Sequence, residues 1–160
     1  MSFVDSVAEY FMTKKALNYI LLATIVAGVL DILMAFLNVY LSSGAKPAAV
    51  LRFIASGIYG KKAFSHEGYY EGIGLALHFL ITFIFVVFYF LLFSRNQKVK
   101  NNWLLSGIVY GTLICLFMNL VVLPLSNTPA SSFRFYPLLK SVLIQIVATG
   151  LPITWLLRRY

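Results

Sequence analysis

Apolar residues in this chain gather into four long runs, 16–41, 72–93, 103–125 and 137–157, each broken by a few polar residues at helical spacing. A helix needs about 20 mostly apolar residues to cross a bilayer, so each run predicts a membrane-spanning helix. Positions three or four apart share a helix face, so the polar positions predict which side turns inward. In the first run Thr24, Ala27, Gly28, Asp31, Ala35, Asn38 and Ser42 make a stripe of small and polar residues. Small residues let helices approach closely in lipid. That stripe is therefore predicted to face the bundle, and Leu22, Ile25, Val29, Leu33 and Phe36 to face acyl chains.

The other runs repeat the pattern. Glu71, His78, Thr82 and Tyr89 form one stripe of the second. The third holds Gly107 and Gly111 in a GxxxG arrangement, a common close-packing signal, with Thr112, Cys115, Asn119 and Ser126 along one side. The fourth carries Ser141, Gln145, Thr149 and Pro152. Proline lacks an N–H, so Pro152 frees a backbone carbonyl one turn earlier that something nearby must satisfy. Pro124 loosens the end of the third run in the same way.

The connections differ in kind. Residues 2–13 place Phe3, Val7, Tyr10 and Phe11 at helical spacing behind a Ser2–Asp5 capping box, which predicts a short surface helix. Within 43–70, Pro47 can open a helix. Val50, Leu51, Ile54 and Ile58 give that helix an apolar face, and Gly57 and Gly60 close it. At 47–59 it is too short to span and reads as an interfacial or re-entrant helix. Arg52 on this helix is expected to snorkel, or else to fold back over the bundle. Lys61, Lys62, His66 and Glu67 are expected in water or among head groups. The polar stretch Ser94–Asn102 is short enough to make the second and third helices antiparallel neighbours.

Composition sharpens the class. Charged residues make up 11% of the chain, against roughly 25% in ordinary soluble domains, so one integral membrane domain is expected. The net charge of +8 would suggest nucleic acid in a soluble protein. Here the bases sit beside apolar runs, so anionic lipids are the expected partners and nucleic acid is not. With both chain ends inside, the inner side holds seven bases and the outer six. The inner ones lie in short segments beside helix ends, where the positive-inside rule counts most. Both termini are therefore expected in the cytoplasm.

The four runs also permit a comparison of depth. Counted from the outer ends at about 1.5 Å per residue, Asp31 lies roughly 15 Å deep and His78, Asn119 and Gln145 roughly 9–12 Å. One ionisable or amide side chain per helix at similar depth predicts a polar layer inside the bundle. As structure, such a layer contributes interhelical hydrogen bonds of about 0.6 kcal/mol each on average. As a site, it places Asp31 and His78 to bind a cation or relay a proton, with Asn119 and Gln145 lining the path. A carboxylate amid hydrocarbon is expensive, which favours the site.

Other chemistries lack their residues. Gly57-Ile-Tyr-Gly60-Lys61-Lys62 fails as a phosphate loop in spacing and in lacking Ser or Thr after the lysine. Gly72-Ile-Gly74 lacks the third glycine of a dinucleotide motif. No cofactor or metal is expected, and Cys115 has no second cysteine to pair with. The phrases LDILMAF, IASGIYGKKAF, LALHFLITFIFVVFYF and MNLVVLPLS resemble a group of small bacterial four-span proteins, similar to the YagU-like inner-membrane proteins. That resemblance, over about 18–157, implies a bacterial inner membrane and no particular activity. The expectation is an all-α polytopic membrane protein, a four-helix bundle with an amphipathic helix between its first two spans. Its function is expected to be small-scale transport or ligand binding at Asp31, His78, Asn119 and Gln145. The alternative is a structural subunit packing against a second copy or another membrane protein; a lipid-directed enzyme is disfavoured.

Overall fold

The computed structural model describes residues 14–65, 68–129 and 135–160, and every regular element among them is helical. The surface helix expected over 2–13, together with His66, Glu67 and Arg134, lies outside the described residues. Helix α1 covers Lys14–Ser43 and α2 Pro47–Tyr59, followed by a 3-10 turn at Gly60–Phe64. Helix α3 is Tyr69–Phe93 and α4 the short Gln97–Asn101. The third long helix begins as α5 (Trp103–Phe117), widens into a π-helical turn at Met118–Val122 and ends as α6 (Leu123–Leu125). The fourth is α7 (Phe135–Gln145), a second π turn (Ile146–Gly150) and α8 (Leu151–Leu157). Lys14–Ser43, Tyr69–Phe93, Trp103–Leu125 and Leu138–Leu157 are each long and apolar enough to cross a membrane.

Both π turns stand immediately before a Leu-Pro pair, Leu123–Pro124 and Leu151–Pro152. The proline ring crowds the carbonyl one turn earlier and offers it no N–H. Widening the preceding turn to i→i+5 bonding relieves both problems, a device frequent at functional sites.

Helix α1 lies between α3 on one side and the α7–α8 helix on the other, and α5 packs on the α7–α8 helix. The residues of α1 that permit this are small: Ala16, Ala23, Ala27 and Gly28 are buried, as is Thr24. Leu22, Ile25, Val29 and Leu33 on the other face are exposed. The core gathers Ile20 of α1, Val86 and Phe90 of α3, Ile114 of α5 and Ile153 and Leu157 of α8. In lipid such contacts act through dispersion and close fit rather than exclusion of water.

The seam between α5 and the fourth helix is closed by glycine. A Cβ at Gly150 would run into the Gly107 carbonyl and the Gly111 backbone, and one at Gly111 would lie 2.6 Å from Ile146 Cα. Helices α3 and α5 are neighbours, and they meet through side chains rather than by backbone approach. The reason is residue size. The face of α5 toward α3 presents Tyr110 and Phe117, whose rings meet Tyr89 and Phe85 with centroids 4.9 and 6.1 Å apart. The Tyr110 hydroxyl donates to the Phe85 carbonyl at 2.6 Å. The link between them carries the short helix α4, which Asn96 caps by accepting from the Lys98 and Val99 amides.

Helix α2 opens with Pro47 at its first turn and closes at Gly60, whose φ of 57° is in the left-handed region. It folds back on α3, where Gly74 lets the Leu51 carbonyl come into contact. Its last carbonyls are satisfied from the loop after α6: the Asn127 amide donates to Gly57 O at 2.9 Å and Asn127 Nδ2 to Ile58 O at 3.0 Å. At the opposite end of the bundle, Lys15 and Lys100 lie over the Tyr160 ring and Arg158 over the Trp103 ring.

Candidate functional site

Gly28 brings the first two site residues together. A side chain there would collide with the Phe79 ring, 2.6 Å from the position of a Cβ. Without one, α3 approaches until His78 Nε2 donates to the Gly28 carbonyl at 2.9 Å. That bond fixes the ring and commits Nε2 as the donor, which leaves Nδ1 as the other nitrogen. Asp31 lies almost one turn further along α1 on the same face, close enough for its carboxylate to interact electrostatically with His78. The Thr82 hydroxyl donates to the His78 carbonyl at 2.9 Å within α3.

The fourth helix supplies the rest through its π turn. Gln145 Nε2 donates to Thr149 Oγ1 at 2.8 Å. The Thr149 hydroxyl in turn interacts with the Asp31 carboxylate. Gln145, Thr149 and Asp31 thus form a chain of polar contacts across two helices. In a regular helix an exposed Gln and a Thr four residues later need not meet a neighbour. Here the widened turn lies against α1.

These side chains border a cavity of about 70 Å³ whose polar lining is Asp31, His78, Thr82, Gln145 and Thr149. Its apolar wall includes Phe85 of α3, and Ile114 and Met118 from the third helix. Ile54 of α2 lines it too, so the short helix that folds back over α3 forms part of the enclosure. The volume corresponds to about two water molecules or one small polar head at roughly 30 Å³ per water.

Asn119 is placed elsewhere. Its Nδ2 donates to the Cys115 carbonyl at 2.8 Å, one turn back on its own helix, and lies 3.5 Å from Cys115 Sγ. Met118 stands on the cavity wall instead. Spacing along the run does not fix the rotation of Asn119. The π turn that begins at Met118 changes the angular position of every residue after it. Thr149 and Ile54 are further lining residues. Thr149 was marked by its place in the polar stripe four residues after Gln145, while Ile54 carried no sequence signal beyond the apolar face of α2.

Glu71 is paired rather than simply solvated. Arg52 Nε donates to Glu71 Oε1 at 2.7 Å and Arg52 Nη2 is also 2.7 Å from that oxygen. Both side chains are half-buried, at 19% and 16% exposure. The pair pins α2, and with it Ile54, to the start of α3. No protein-family model, no curated protein and no solved structure matches the chain.

Proposed function

We propose that this chain is a small multi-pass membrane protein that binds, and passes across the bilayer, a cationic or hydrogen-bond-donating solute at the Asp31–His78 chamber. The observation that carries this reading is the Asp31 carboxylate on the wall of a cavity that His78, Thr82, Gln145 and Thr149 also line. His78 Nε2, the Gln145 amide nitrogen and the Thr82 hydroxyl each donate within the protein, to Gly28 O, Thr149 Oγ1 and His78 O. A carboxylate on such a wall asks an occupant for N–H, O–H or a cation. An intramembrane carboxylate with such company is where a solute path is expected. The bases near both chain ends, and the resemblance to YagU-like proteins, support a bacterial inner membrane with both termini cytoplasmic.

The alternative, a structural subunit packing through its small-residue faces, draws less support. Gly28, Gly74, Gly107, Gly111 and Gly150 already have partners within this chain. The test is methylammonium binding and uptake by the purified protein in lipid vesicles. Wild type should bind and accumulate it, and Asp31→Asn should lose at least tenfold in affinity while eluting and unfolding as wild type does. A wild-type protein that neither binds nor moves methylammonium, and that co-purifies with a second membrane protein, would establish the structural role.

A further inference from the structure

The chamber does not stand alone. Between α3 and α5, where the backbones stay apart, lies a groove of about 500 Å³. That is within the range of roughly 300–1,000 Å³ typical of ligand pockets. Its walls are carbon: Ile84, Phe88, Leu113 and Leu120 line it, and the one hydroxyl present, on Tyr110, is turned to the Phe85 carbonyl. Phe85 and Ile114 border both the groove and the chamber. An apolar trough open to the side and the pocket that holds Asp31 are therefore separated by two side chains.

We infer that the occupant of the site is a membrane amphiphile, a single long hydrocarbon chain ending in a protonated amine, which enters sideways between α3 and α5. The chain lies in the groove and the ammonium passes between Phe85 and Ile114 to Asp31. This rests on the reading of the chamber as a cation site and adds the class of ligand. Three observations carry it. An ammonium brings a positive charge and three N–H donors to a pocket whose wall carries the Asp31 carboxylate beside Gln145 and Thr149. The cavity, at about 70 Å³, has room for a head of that size. The groove offers no polar group to a solute arriving from water, but suits a ligand already dissolved in the bilayer. A long-chain carboxylate is rejected by Asp31, and an alcohol brings a single donor.

The experiment uses the full-length protein in lipid nanodiscs and measures displacement of a spin-labelled long-chain amine by methylammonium, dodecylamine, dodecanol and dodecanoate. Partitioning into empty nanodiscs is subtracted. Dodecylamine should compete best, at least tenfold better than dodecanol, and dodecanoate should not compete. Leu120→Trp, at an exposed position on the groove wall, should weaken dodecylamine by about tenfold or more and leave methylammonium unchanged. Asp31→Asn should weaken both amines. If methylammonium binds through Asp31 but dodecylamine gains nothing, the amphiphile is wrong and the cation site stands. If neither amine depends on Asp31, both readings fall. If the three dodecyl compounds compete equally, the groove holds any chain and the coupling to the chamber is overturned. The ligand series needs no variant, so a misfolded mutant leaves the test intact.

Discussion

Helix α5 has two edges, and they are built by opposite means. Toward the fourth helix it presents Gly107 and Gly111, and backbone meets backbone. Toward α3 it presents Tyr110 and Phe117, and the helices are held apart by rings and one hydroxyl bond. Because exclusion of water gives no drive between helices in lipid, close fit decides which edges hold. The glycine seam is therefore the fixed side of the bundle and the aromatic side the one that can admit a guest. A single helix separates scaffold from opening.

The strongest way to break this contrast is at Gly150. Helix propensity alone favours alanine over glycine by about 1 kcal/mol. The Gly107 carbonyl leaves no space for the added methyl, so Gly150→Ala should instead destabilise by about 2 kcal/mol, read as a lower unfolding midpoint in detergent. A midpoint that rises would mean the seam is slack.

Next is the clip on α2. Arg52→Met removes the cation from this pair and leaves the Glu71 carboxylate without it. Amide hydrogen exchange should accelerate through 47–59 while α5 and α8 stay protected. Glu71→Gln should do less, because the amide oxygen still accepts from Arg52. Uniform acceleration across all helices would show that α2 is part of the scaffold and not a separate cover.

A smaller effect is expected where the helices stand apart. Tyr110→Phe deletes the bond to Phe85 O and should cost about 1 kcal/mol. Spin labels placed on α3 and α5 should show a broader distance distribution, whereas labels across the glycine seam should not change. The smallest effect has the opposite sign. Nothing lies within 4 Å of a Cβ at Gly72. Gly72→Ala should therefore stabilise by roughly 0.5–1 kcal/mol, and a loss at this position would mean an unseen neighbour.

Much of the fold was legible because run length and period speak directly. Four stretches are apolar for long enough to be spans, and Pro47 and Gly60 bracket a fifth helix that the structure contains. The inward face of α1 was readable from its small residues. Asp31, His78 and Gln145, each on a polar stripe of its run, line one cavity. Three things were not legible. The order of packing depends on which glycines face which helix, a pairwise property that no single run displays. Asn119 was captured by its own Cys115 carbonyl, a local bond that competes with any contact across helices. The Arg52–Glu71 pair required α2 to fold back, and its sequence fixes its faces without fixing its direction.

The proline at 152 has a consequence for a residue it never meets. A widened turn travels along a helix as its bonds are exchanged one by one. It cannot move past Pro152, which has no hydrogen to offer. Travel toward the C-terminus, which would rotate Thr149, is thereby blocked. Were Pro152→Ala to let the helix rewind, each residue on one side would swing by about 100°. Thr149 would turn away from Asp31, and the carboxylate would lose one of its two partners without any change in the residues around it.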